Sequence, residues 1–128
     1  MRALAGKLMS TSAVAVLNEI VDRAVVLDRV GGDEALLREI TEIFLAEYPT
    51  LLEEIRAAVQ AGDPSRLERS AHTLKGSVAN FGAAQATRTA YRLERIGREQ
   101  HLDEAPAALS ALELQFSALR PALEELVR

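Results

Sequence analysis

The chain has 128 residues, enough for one domain at roughly 100 to 200 residues each, and it contains no cysteine. Disulfide frameworks, thiolate zinc sites and cysteine nucleophiles are excluded together. Hydrophobic residues at 48% and charged residues at 27% are too apolar a mixture for intrinsic disorder, and 4% aromatics with a net charge of −4 give no basis for base-stacking or bulk attraction to a polyanion.

Arg2 and Lys7 precede a mildly apolar stretch, but Ser10, Thr11 and Ser12 interrupt it and Asn18 and Glu19 close it. Residues 1–21 therefore read as an N-terminal extension, a leader or extra helical turn with Met9 as an alternative start, rather than a signal peptide. No apolar run approaches the roughly 20 residues of a membrane span, so a cytoplasmic protein without membrane contact is expected.

From Asp22 onward the punctuation is regular. Asp22 is placed to cap a short helix running to Val30, which Gly31 and Gly32 terminate. Asp33 caps the next segment, where Leu36, Leu37, Ile40, Ile43, Phe44, Leu51, Leu52, Ile55 and Val59 predict an amphipathic helix from Glu34 to Ala61. Pro49 is expected to bend or divide it. Gly62 ends that helix, and Asp63 as cap with Pro64 at the first helical position starts another.

The third segment, Pro64 to Asn80, carries Leu67, Ala71, Leu74, Val78 and Phe81 on one narrow stripe, and Gly82 breaks it. A further helix from Ala83 to Arg98 shows Ala86, Ala90, Leu93 and Gly97 on one side, small residues that suit close helix approach. After a loop at Gln100 and His101, Asp103 is expected to cap a last helix built on Leu109, Leu112, Phe116, Leu119, Leu123 and Leu126, with Pro121 kinking or splitting it. Strand-like alternation is absent. Residues 22–128 thus predict an all-α fold, an antiparallel up-down-up-down four-helix bundle with a short extra N-terminal helix.

One residue lies on the wrong face for packing. With Leu67 at zero and about 100° per residue, the stripe falls within about 40° of zero while His72 lies at about 140°, toward solvent. Gly76 stands one turn further on, near 180°, where a glycine costs roughly 0.5–1 kcal/mol relative to Ala and helix packing does not explain it. Absence of a Cβ there would leave clearance for a group on the imidazole or for a docking partner. Lys75 offers a mobile ammonium that could offset phosphoryl charge and favour the neutral, nucleophilic imidazole. A solvated surface lysine is the competing reading; from spacing alone the two weigh equally.

The run Ala71-His72-Thr73-Leu74-Lys75-Gly76-Ser77, followed by Asn80-Phe81-Gly82-Ala83, resembles the motif of histidine-containing phosphotransfer (HPt) domains of multistep phosphorelays. Gly31-Gly32-Asp33, the Ala61 to Asp63 turn and Leu93-Glu94 fit the same family in the same order, from about Asp22 to the C-terminus. The resemblance implies that His72 is the phosphoacceptor, that Lys75 supplies charge and Gly76 space, and that Arg69, Ser77, Ala79 and Arg98 meet the partner. Ala86 and Ala90 depart from it, standing where bulkier residues are frequent, which bears on local packing.

Between Pro64 and Arg98 seven basic residues face two acidic ones, so the net −4 divides into +5 here and −9 elsewhere. Such a field would steer an acidic surface toward His72. By resemblance the partners are response-regulator receiver domains or a hybrid histidine kinase, with Mg²⁺ on the receiver and no cofactor or metal on this chain. His101 is isolated and reads as a surface loop residue. No Walker A sequence or glycine-rich nucleotide loop occurs, so ATP-dependent kinase activity is not expected, and a monomer is. Rival readings are the phosphoacceptor domain of a chemotaxis-type kinase, against which the short chain argues, a helical adaptor without chemistry, and nucleic-acid binding through the basic segment.

Overall fold

Aspartate carboxylates open three of the helices. In the computed structural model, which describes residues 21–128, Asp22 accepts from the Ala24 and Val25 amides at the head of α1 (Arg23–Arg29). Asp33 accepts from Leu36 at the head of α2 (Glu34–Ala61), and Asp63 from Arg66 at the head of α3 (Pro64–Ala79). Each carboxylate satisfies a donor that the first helical turn leaves unpaired. Apart from Val21, the N-terminal extension lies outside the described residues.

Two further helices follow, α4 (Ala84–Glu99) and, after a 3₁₀ turn at Leu102–Glu104, α5 (Ala105–Leu126). Helix α3 packs on α2 and α4, and α5 packs on α2 and α4, which closes a four-helix ring with α1 laid against α2. The short connections make successive helices antiparallel, so the all-α bundle with a short N-terminal helix is as the pattern predicts. Among the described residues no helix is long and apolar enough to cross a membrane.

Of the outcomes expected at Pro49 and Pro121, a bend or a break, the break does not occur: α2 and α5 run uninterrupted through them. Both prolines are exposed, so the carbonyls one turn back that lose their amide partner lie on the solvent side, where water can satisfy them. Buried residues on either side, Tyr48 and Leu52 in α2 and Leu119 and Leu123 in α5, keep both halves of each helix on the core. Asp103 does not cap α5. It lies within the 3₁₀ turn, whose Leu102 carbonyl accepts from the Ala105 amide and leads the chain directly into the helix.

Leu67, Ala71, Leu74 and Val78 of α3 are fully buried, and each leucine contributes about 1.5–3 kcal/mol of transfer free energy, which fixes the opposite face of α3 outward. At the far end of α3, Phe44 stacks on Phe81 at 4.8 Å and Tyr48 on Phe116 at 4.9 Å, joining α2, α5 and the end of the histidine helix. Gly82 turns the chain there with φ +67°, and a Cβ on it would meet the Asp22 Cβ at 2.9 Å. The Asp22 amide also donates to the Phe81 carbonyl at 3.0 Å, so α1 is tied to this corner.

Helices α3 and α4 approach closely at Gly97. A Cβ there would lie 2.6 Å from the Pro64 carbonyl oxygen and 2.7 Å from the Glu68 amide nitrogen, backbone atoms that cannot swing aside. Ala86 and Ala90, also buried, continue the same thin seam between α3 and α4. At Gly76, by contrast, no atom beyond its own helix turn lies within 4 Å of an added Cβ. Gly97→Ala should therefore destabilise the protein by about 1–3 kcal/mol, whereas Gly76→Ala should stabilise it by about 0.5–1 kcal/mol, in urea unfolding. Equal effects of the two substitutions would contradict the seam.

Candidate functional site

The face of α3 opposite its buried stripe presents His72, whose side chain is 68% exposed. The imidazole is nevertheless fixed on one edge. Its Nδ1 lies 2.8 Å from Oε1 of Glu94, a carboxylate of α4 whose side chain is only 3% exposed. The same oxygen accepts from Lys75 Nζ at 2.9 Å, and Oε2 accepts from Arg98 Nη2 at 2.7 Å. Arg98 reaches back across the seam through Nε to Glu68 Oε2 at 2.8 Å. The Lys75 ammonium also lies 5.0 Å from the centre of the Tyr91 ring.

Burial is the largest single influence on Glu94 and opposes its ionisation, but hydrogen bonds from Lys75, His72 and Arg98 and the Lys75 charge together outweigh it. Glu94 therefore titrates below its ordinary value of 4.5 and is a carboxylate at neutral pH. A carboxylate only accepts, so Nδ1 must carry a proton. In the neutral ring this leaves the lone pair on Nε2 as the nucleophile. The arrangement is a held, oriented imidazole with open space beside it at Gly76.

The expected site residues do not all meet at one point. His72, Lys75 and Gly76 come together, but Lys75 is 25% exposed and bound to Glu94 rather than mobile in solvent. Arg69 and Gly76 are exposed on the same helix, and Ala79 is half-buried. Ser77 donates to the Thr73 carbonyl of its own helix at 3.2 Å. Arg98 has its guanidinium engaged within the chain by Glu68 and Glu94. His101 is an exposed loop residue 3.5 Å from Glu104, and among the described residues no group of three or more His, Asp and Glu could hold a metal ion.

Spacing did not single out Glu94 as part of the site. The signal was present: Glu94 adjoins Ala90, Leu93 and Gly97 on the buried side of α4, where an acidic residue requires counter-charges.

The profile of the family described as Hpt domain matches residues 39–122. In three dimensions the chain is similar to the crystal structure of histidine-containing phosphotransfer protein B (HptB) from Pseudomonas aeruginosa PAO1. The TM-score is 0.77 at 27% sequence identity, over 83% of this chain and 92% of that one. Comparison with curated protein sequences yields no match.

Because Glu94 is held below its ordinary value, the stability it confers is complete above about pH 4.5 and is lost as pH falls through the lowered value. Glu94→Gln should cost about 1.5–3 kcal/mol at pH 7, and the gap to wild type should close on acidification as protonated Glu94 comes to resemble the amide. Urea unfolding from pH 7 to pH 3 measures this. A gap independent of pH would show that Glu94 acts by shape alone.

Proposed function

The chain belongs to the Hpt domain family, whose members carry phosphoryl groups in phosphorelays, and from that premise we propose that it is a relay intermediate working through His72. His72 accepts the phosphoryl group from a receiver-domain aspartate and passes it to the receiver of another response regulator. The observation that carries this reading is the exposed imidazole anchored at Nδ1 by a buried carboxylate, with Nε2 turned toward solvent.

In the forward step the Nε2 lone pair attacks phosphorus. The N–P bond forms as the P–O bond to the partner's aspartate breaks, and the aspartate leaves as a carboxylate with the bonding pair. Positive charge develops on the ring, and the Nδ1 proton stays on its hydrogen bond to Glu94, whose negative charge stabilises it. Return transfer reverses each event. Mg²⁺ belongs to the receiver, and the histidine side contributes position and charge.

Gly76 supplies room for the phosphoryl oxygens and for the approaching receiver. Of the basic residues on α3 and α4, Arg66, Arg95 and Arg98 pair with glutamates, as does Lys75. Arg69, Arg88 and Arg92 form no ion pair among the described residues; Arg88 and Arg92 line a groove beside Gln115 of α5, so on the His72 helix the uncompensated charge that favours an acidic partner is that of Arg69. Arg69, one turn before His72, together with Ser77 and Ala79 after it, forms the proposed partner surface.

Incubation with a phosphorylated receiver domain should give an acid-labile, base-stable phosphate on wild type and none on His72→Gln. Gly76→Gln should stay folded by circular dichroism yet accept phosphate roughly tenfold or more slowly, because displacement of the reacting group by even 1 Å is costly. Equal labelling of His72→Gln would refute the assignment. Labelling only by a separate ATP-bound kinase domain would favour the chemotaxis-type alternative.

A further inference from the structure

Arg98 is placed to do more than brace the bundle. The two oxygens of Glu94 are not equivalent: Oε1 is shared by His72 Nδ1 and Lys75 Nζ, while Oε2 accepts from Arg98. Arg98 lies one turn beyond Glu94 on the same helix, and its other edge is held by Glu68 of α3. The Gly97 seam brings Glu68 within that reach, since an added Cβ at position 97 would touch its backbone. Among the described residues the ion-pair network beneath the imidazole joins Glu68 and Lys75 of α3 to Glu94 and Arg98 of α4, with the Tyr91 ring beside Lys75 and the unpaired Arg69 one turn before His72.

A phosphoryl group on Nε2 brings about two negative charges to the face of α3 beside Lys75. The lysine stem is long enough to turn its ammonium from Glu94 toward those oxygens. A carboxylate that is 3% exposed cannot be left without a full counter-charge, because an unpaired buried ion is strongly unfavourable. Arg98, bonded to the oxygen that Lys75 does not use, remains in place when the ammonium departs.

We propose that Arg98 is a positioning residue for phosphoryl transfer: it neutralises the Glu94 carboxylate at Oε2 and so frees Lys75 to move to the phosphoryl group. The assignment rests on His72 as phosphoacceptor. It differs from a partner contact in kinetics and from a structural brace in its effect on His72.

The test uses the full chain with a phosphorylated receiver domain as saturable donor, in rapid-quench transfer, for wild type, Arg98→Ala, Arg98→Lys, Lys75→Ala and the Arg98→Ala/Lys75→Ala pair. Arg98→Ala should lower kcat roughly tenfold with KM unchanged, because a less neutralised Glu94 retains Lys75. Arg98→Lys should restore part of the loss. In the Lys75→Ala background the Arg98 effect should vanish, since no ammonium remains to be released. Without any donor, NMR titration of His72 should shift upward in Arg98→Ala, the imidazolium being drawn to the less compensated carboxylate.

A raised KM with unchanged kcat would overturn the proposal in favour of a partner contact. Lower thermal stability with unaltered transfer and unaltered His72 titration would overturn it in favour of a brace. If wild type itself takes no phosphate on His72, the relay reading falls and this proposal with it; normal labelling of both wild type and Arg98→Ala removes the proposal alone.

Discussion

A glutamate carboxylate that is 3% exposed can stay ionised only if the surrounding chain supplies the charge and the donors that water no longer does. Glu94 receives them from three side chains on two helices, and each donor is constrained in turn. Lys75 lies over Tyr91 and against Oε1, Arg98 is bridged to Glu68, and the imidazole of His72 is held by one nitrogen with the other left outward. The imidazole is thus oriented from beneath while remaining two-thirds exposed. Few arrangements allow both, because a histidine fixed by burial would lose access and one left in solvent would lose orientation.

That arrangement depends on the separation of α3 and α4. Gly97, Ala90 and Ala86 thin the seam enough for a glutamate on one helix to reach a histidine on the other, and backbone atoms of Pro64 and Glu68 occupy the volume a side chain at position 97 would need. The small alanines that depart from the family pattern therefore belong to the packing that sets the site. On the outer face Gly76 has the opposite use, open space rather than contact. Two helix glycines, one buried and one exposed, lie on the two sides of the same imidazole.

Much of this was legible before the structure. Asp22, Asp33 and Asp63 marked helix starts because a short carboxylate at that position has a local backbone donor to accept from, and the α3 stripe put His72 outward by angle alone. Interactions within one helix can be read from spacing. The pairing of Glu94 with His72 could not be, because it depends on how α4 is rotated against α3, which no periodicity within either helix encodes. For the same reason the engagement of Lys75 and Arg98 with Glu94 could not be read from spacing. At Pro49 and Pro121 spacing left a bend or a break open, and the helices continue because exposed carbonyls and buried flanks absorb the local disruption. The +5 of the basic segment also overstates the field, since Arg66 and Arg95 meet Glu54 and Glu99 from outside it.

Orientation of the imidazole by Glu94 is the central claim, and the ring nitrogens report it directly. In ¹⁵N NMR of imidazole-labelled protein above the His72 titration, wild type should show a protonated Nδ1 and an unprotonated Nε2, and Glu94→Ala should shift toward the Nε2–H form usual for exposed histidine. An Nε2–H ring in wild type, or the same ring state in both proteins, would contradict the account.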